Sequence, residues 1–208
     1  MEATICARDF EIHVDLVVEP GAEARGAALA TALRQPLERY LFSEDERTIA
    51  EIVLELCRAE GLTLATAESC TGGMIAARLT DVPGSSDVVR GGIVAYANEV
   101  KVDELGVPDE LIASHGAVSA EVAAAMASGV RERLGADVGI AVTGVAGPGG
   151  GSPEKPVGLV HFHVSAPGGG KGREFSLPGD RDTIRARATV ASLHLARTVL
   201  TRSRHKDE

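Results

Sequence analysis

The chain has 208 residues, 44% of them hydrophobic, which is room for one domain with a proper core plus a small appendage. Its formal charge is −9, from 21 Lys+Arg against 30 Asp+Glu. That balance argues against a broad nucleic-acid surface, yet leaves open a single pocket for a small anionic ligand. No apolar run reaches about 18 residues and no basic-then-apolar leader precedes the first strand, so the expectation is a soluble cytoplasmic protein with no membrane segment. The first element in chain order is the alternating stretch "FEIHVDLVV" (10–18), with Phe10, Ile12, Val14, Leu16 and Val18 on one face, which predicts a half-buried strand. A turn at 19–23 and a helix carrying Leu29, Leu33 and Leu37, disturbed by Pro36, follow. This piece is too small to stand as a domain, so the expected division is 1–42 and 43–208.

A new unit begins at "FSEDE" (42–46), where Ser43 and Glu46 have the spacing of a capping box ahead of the stripe Ile49, Ile52, Val53 and Leu56. Gly61 ends that helix. The reading continues with a short strand at 62–66, a helix at 72–81, a buried strand at 88–96, and helices near 98–105 and 108–114. Ser119 then opens an alanine-rich helix running to Leu134. A strand at 136–144 runs into a glycine loop. Strands at 157–165 and 173–177 flank "GGGKG" as a hairpin turn, and a last helix spans about 180–202. The alternation predicts a three-layer α/β/α domain with a mixed, partly parallel sheet. Ligands of such sheets sit at the carboxyl ends of strands. That points to the polar stretches 67–73, 96–101 and 143–155.

Cys6, Cys57 and Cys70 are too few and too widely spaced for a disulfide framework or a CxxC pair. His13, His115, His161, His163 and His194 are scattered, and His205 lies in a charged tail, so no metal site is expected. His161 and His163 in "HFH" share one strand face, which reads as solvated. "TAESCTGG" (66–73) crowds a carboxylate, three hydroxyls, a thiol and two glycines between a strand and a helix. One reading is a helix cap, with Ser69 or Thr71 satisfying orphan N–H groups and Glu68 a structural carboxylate. The other is a nucleophile loop, with Ser69 or Cys70 at the tip and helix-start N–H groups offered to an anion. Tyr96 ends the strand at 88–96, and Lys101 follows it. Lys101 reads as a surface charge or, if desolvated beside the 67–73 loop, as a base toward serine. The stretch 143–158 holds six glycines and three prolines. It lacks P-loop spacing, and "SPEK" (152–155) is set aside as a serine–lysine motif because Pro156 follows at once.

Taken together, "TLATAESCTGGMIAARLTDVPGSS", "YANEVK", "GAVSAEVAAAMASG" and "AVTGVAGPGGGSPEKPVG" resemble the CinA C-terminal domain, a family that includes the PncC-type nicotinamide mononucleotide deamidases. The match runs in order over about 45–200, and the segment at 8–42 resembles the end of the linker domain that precedes it in full-length CinA. The resemblance implies an amidohydrolase that converts nicotinamide mononucleotide and water to nicotinate mononucleotide and ammonia, with no metal or organic cofactor. It places the nucleophile on Ser69, with Tyr96 and Lys101 as the other catalytic groups. Cys70, Thr71, Gly72, Gly73, Thr143, Gly144, Gly147 and Gly149 would line the substrate pocket. Of Arg181 and Arg185 on the last helix, Arg185 is favoured as the substrate contact. Relatives often carry a serine after the tyrosine where this chain has Ala97, which removes no proposed catalytic group. The implied partners are the small-molecule substrate and a second copy in a homo-oligomer, without nucleic acid or membrane. Two other readings remain: a non-catalytic nucleotide- or partner-binding module of a competence/damage-inducible protein, and a sugar-nucleotide binding protein without turnover.

Overall fold

The computed structural model describes residues 1–8, 10–38 and 40–204, with the side chains of the last three left aside. His205 therefore lies outside the described residues. The chain divides into two compact units, Met1–Arg47 and Thr48–Glu208.

In the first unit, strands β1 (Glu2–Arg8) and β2 (Glu11–Val17) pair antiparallel, with Ile5 opposite Val14 and Ala7 opposite Ile12, and helix α1 (Glu23–Leu37) follows. The alternation in β2 is as the sequence predicts; β1 escaped the sequence reading. The apolar face is not half-buried, however: Ile5 is 74% and Ile12 75% exposed. The sheet has two strands, and α1 meets this face at Val18, beside Gly26. Pro36 falls in the last turn of α1, one residue before the helix ends at Leu37.

The capping box is not the expected Ser43–Glu46 pair. Ser43 instead donates its hydroxyl to Asp45 Oδ1 at 2.7 Å. Thr48 caps helix α2 (Ile49–Ala59): the Glu51 N–H donates to Thr48 Oγ1 at 3.3 Å, and the Thr48 N–H donates to the Glu51 carboxylate at 2.6 Å. Both stretches fit the capping pattern, but only Thr48 stands immediately before the apolar stripe that α2 buries through Ile49, Ile52 and Val53.

The second unit holds a five-stranded sheet in the order β4–β3–β5–β6–β7. Strands β3 (Leu64–Glu68), β4 (Val89–Val94) and β5 (Val138–Gly144) run parallel, while β6 (Leu159–Ala166) and β7 (Gly169–Ser176) add an antiparallel edge. Helices α3 (Met74–Thr80), α4 (Asn98–Leu105), α5 (Asp109–His115), α6 (Ala120–Leu134) and α7 (Arg181–Arg204) complete the unit. Helix α6 packs on one face of the sheet with α4 and α5 beside it; α2, α3 and α7 form the other layer. The fold is thus α/β with a mixed sheet. Val122, Met126 and Val130 of α6 bury against Ala65, Ala67 and Ala141, small strand residues that let the helix approach closely.

Three local expectations change. The β4 strand is an edge strand with alternating burial rather than a fully buried one, because only β3 pairs with it. "GGGKG" lies mostly within β7, and the hairpin turn is at Pro167 and Gly168. The "HFH" face is covered rather than solvated: β6 is interior, His161 is 7% exposed, and desolvation pushes both His161 and His163 below the ordinary imidazole value. Among the described residues, no helix is long and apolar enough to cross a membrane.

The join from β3 to α3 positions everything that follows. Glu68, the last residue of β3, is 1% exposed. Its Oε2 accepts from the Thr71 hydroxyl (2.7 Å) and the N–H groups of Gly73 and Ile75 (3.0 Å each). Its Oε1 accepts from the Ala76 N–H (2.8 Å) and the Thr66 hydroxyl (3.2 Å). A carboxylate buried at the start of α3 satisfies donors the helix cannot pair internally, in the place where its dipole favours negative charge. Glu68→Gln must turn an amide NH₂ toward at least one backbone N–H. It is expected to lower unfolding stability by about 1–3 kcal/mol, read as a lower urea midpoint at unchanged slope.

Candidate active site

The carboxyl ends of β3, β4 and β5 open on one side of the sheet, and the ladder continues into the loops beyond them. The Ser69 N–H donates to Val142 O at 3.0 Å, and the Ala95 N–H donates to Glu68 O at 2.8 Å. Ser69 is therefore held between two neighbouring strands. Past it the chain turns tightly: the Gly72 N–H donates to Ser69 O at 3.1 Å, and Gly72 (φ 62°) and Gly73 (φ 98°) take left-handed conformations that side chains disfavour. Arg185 of α7 grips the same turn, with Nε donating to Cys70 O (3.1 Å) and Nη2 to Thr71 O (3.0 Å).

One expectation about this turn is overturned. The N–H groups of Gly73, Ile75 and Ala76 are not free to hold an incoming anion, because Glu68 already occupies them. The N–H of Cys70, upstream of that set, is not among those that Glu68 takes.

A cavity of about 210 Å³ lies at the three strand ends. Ser69 and Cys70 line it from β3; Tyr96, Asn98 and Lys101 from the region after β4; Thr143, Gly144 and Ala146 from the end of β5; and Ala117, Val118 and Arg181 close it. Lys101 is 1% exposed, one of the largest fully buried side chains among the described residues. Its Nζ donates to Ala95 O (2.8 Å) and Tyr96 O (3.2 Å). Desolvation lowers its pKa below the usual lysine range, against smaller upward contributions from Cys70 and Glu99. Burial also pushes the Cys70 thiol up to about 12, so a preformed thiolate is disfavoured there.

The rim carries a second set of contacts. Tyr96 is 62% exposed, and its hydroxyl accepts from Arg181 Nη2 at 3.1 Å. Arg181 Nη1 also donates to Gly147 O at 2.8 Å, tying the glycine loop to the tyrosine. The Thr143 hydroxyl donates to Ala117 O at 2.8 Å. Ala97 takes the N-cap position of α4, where no side-chain cap bond forms; a serine at that position would supply one.

The expected site residues thus separate by place. Ser69, Cys70, Tyr96, Lys101, Thr143 and Gly144 share the cavity wall. Thr71 does not: it is fully buried with its hydroxyl on Glu68. Gly72 and Gly73 shape the turn, Gly147 adjoins the rim through Arg181, and Gly149 is exposed on the loop. Of the two arginines, Arg181 faces the cavity while Arg185 clamps the turn through backbone carbonyls. Residue-by-residue reading missed Asn98, Ala117, Val118 and Ala146, although all lie in the stretches quoted for the resemblance. Among the described residues, no group of three or more His, Cys, Asp or Glu side chains could hold a metal ion.

Comparison with known proteins follows the same outline. The pattern of the CinA C-terminal domain matches residues 46–200. A CinA-like protein of Gemmatimonas aurantiaca is 50% identical over 190 residues, covering 90% of this chain and 44% of that one. A CinA-like protein of Mycolicibacterium paratuberculosis is 49% identical over 206 residues, covering 97% and 47%. The chain therefore spans less than half the length of these relatives. Among solved structures, the competence/damage inducible protein CihA from Agrobacterium tumefaciens aligns with TM-score 0.72 and 43% identity, over 77% of this chain and 98% of that chain. A CinA superfamily protein from Klebsiella pneumoniae aligns with TM-score 0.69 and 32% identity, over 75% and 99%. With the family pattern matched across the whole sheet and the cavity it carries, the chain belongs to the CinA family.

Proposed function

We propose that the chain is an amidohydrolase that acts on nicotinamide mononucleotide, with Ser69 as nucleophile and Lys101 as general base. One observation carries the reading: a fully buried lysine, in no ion pair with a carboxylate among the described residues, lines the same small cavity as Ser69. A neutral lysine amine has two N–H groups and one lone pair. Two carbonyls, Ala95 O and Tyr96 O, accept its N–H groups. The lone pair is left for a proton acceptor's role.

In the reaction, Ser69 Oγ attacks the carboxamide carbon and its proton passes to Lys101 Nζ. The Cys70 N–H stabilises the tetrahedral oxyanion. Lys101 returns the proton to the nitrogen as the C–N bond breaks, and ammonia leaves. Lys101 then takes a proton from the water that attacks the acyl-serine and passes it to Ser69 Oγ as the ester bond breaks, which releases nicotinate mononucleotide and restores both the hydroxyl and the neutral amine. The cavity, at about 210 Å³, is small. That suits the carboxamide-bearing ring, with the ribose phosphate at the rim, where the recorded acceptors of Arg181 are neutral.

Purified chain should release ammonia from nicotinamide mononucleotide; tight binding without turnover would instead favour a binding module. Lys101→Ala should lower kcat by about 10²–10⁴-fold with KM largely kept. A rise in KM alone would make Lys101 a binding charge.

The pH dependence follows from the direction of the Lys101 shift. The base acts only when neutral, and its pKa in the folded chain is lowered. Activity should therefore rise with pH and level off below the ordinary lysine value of about 10.5. A rate still climbing beyond that value would contradict a desolvated base.

Cys70→Ala keeps the backbone N–H and removes a thiol that burial holds protonated, so it should retain substantial activity. Ser69→Ala should have almost none. An active Ser69→Ala beside an inactive Cys70→Ala would reverse the assignment.

A further inference from the structure

The "SPEK" stretch has no place in that chemistry, yet its lysine reaches His115, two residues before the cavity wall at Ala117. Residues 152–155 form no helix; the stretch closes on itself. The Ser152 N–H donates to Lys155 O at 2.9 Å, and the Lys155 N–H donates to Ser152 Oγ at 3.1 Å. The lysine side chain leaves this turn, and its Nζ donates to His115 O at 2.5 Å, 40 residues away in sequence. His115 ends α5, so its carbonyl lies at the negative end of that helix, where a cation is favoured. Gly116 follows with φ +76°, and a Cβ there would stand 2.6 Å from Lys155 Nζ. The glycine makes room for the ammonium. Among the described residues, no carboxylate forms an ion pair with Lys155.

The residues beyond Gly116 matter to the site. Ala117 and Val118 are cavity wall. The carbonyls of this turn are held from three elements: His115 O by Lys155, Gly116 O by the Ser119 hydroxyl at 2.9 Å, and Ala117 O by the Thr143 hydroxyl at 2.8 Å. The bond from Lys155 is the charged one, and it comes from the loop whose beginning, Gly144 and Ala146, also lines the cavity.

We propose that Lys155 is a positioning residue that ties the glycine loop to the turn at 115–118 and so sets the width of the cavity for substrate. Its kinetic consequence rests on the amidase reading; the contact itself does not.

The experiment uses the full chain and Lys155→Met, which keeps the stem and removes the ammonium. Hydrogen exchange of the 114–119 backbone should quicken. KM for nicotinamide mononucleotide should rise roughly tenfold, the scale of one charge-assisted hydrogen bond, with kcat nearly unchanged and the pH profile unmoved. Gly116→Ala, which drives a methyl toward Nζ, should raise KM similarly. The double variant should be no worse than the worse single, because both act through one contact. Unchanged exchange across 114–119 in Lys155→Met overturns the proposal, and so does a loss in kcat with KM kept. If the parent chain releases no ammonia, the amidase reading fails by itself; faster exchange in Lys155→Met then still supports the tie, and unchanged exchange still overturns it.

Discussion

Glu68 is buried at the end of a central strand with five donors turned toward its two oxygens. A carboxylate without such partners could not stay in that place, since an uncompensated buried charge costs several kcal/mol. With them, it joins β3 to α3 and fixes where the chain leaves the sheet. Ser69 and Cys70 are the next residues and inherit that position. Arg185 completes the arrangement from α7 by taking the carbonyls of Cys70 and Thr71. Two charged side chains hold the turn through its backbone, which leaves the hydroxyl of Ser69 and the thiol of Cys70 uncommitted to its support.

Two sets of cations in the second unit contrast. Arg58 pairs with Asp87 and Arg133 with Glu104, in contacts exposed enough to contribute little to stability. Around the cavity the partners differ. Lys101, Arg181, Arg185 and Lys155 donate to carbonyl or hydroxyl oxygens. A carbonyl orders a cation without neutralising it. At the rim, both acceptors of Arg181 are uncharged oxygens, of Gly147 and Tyr96. For Lys101 the consequence differs: full burial without a carboxylate favours the neutral amine.

The site is assembled from separate stretches of chain, and each is held by a contact distant in sequence. Arg181 spans from α7 to Tyr96 and to Gly147, Thr143 to Ala117, and Lys155 to His115. None is part of a helix or strand ladder. The cavity therefore depends on side-chain bonds between loops, which are less protected than the sheet beneath them. The first unit shows the opposite situation: β1 and β2 pair regularly, but their apolar face is exposed at Ile5 and Ile12.

Much of this was legible in the amino-acid sequence because it depends on local pattern. Alternation, apolar stripes, glycine stops and the Ser119 cap determined most elements of the second unit to within a few residues, and with them the α/β class. Repeated placement of polar residues after strands located Ser69, Lys101 and Thr143 at one edge. What the sequence left open was decided by partners that only the folded chain brings together. Ser43 and Thr48 each begin a capping pattern, and the helix took the one adjoining its buried stripe. Arg181 and Arg185 lie about one turn apart on α7, so their different roles follow from which loop each side chain meets. His161 and His163 alternate like a solvated face, yet β6 lies inside the sheet and is covered. Glu68 reads as an ordinary polar residue until three N–H groups of another element converge on it. Periodicity reports the face a residue occupies; burial, hydrogen-bond partners and the pKa shifts they cause depend on what packs against that face, and only the tertiary structure decides that.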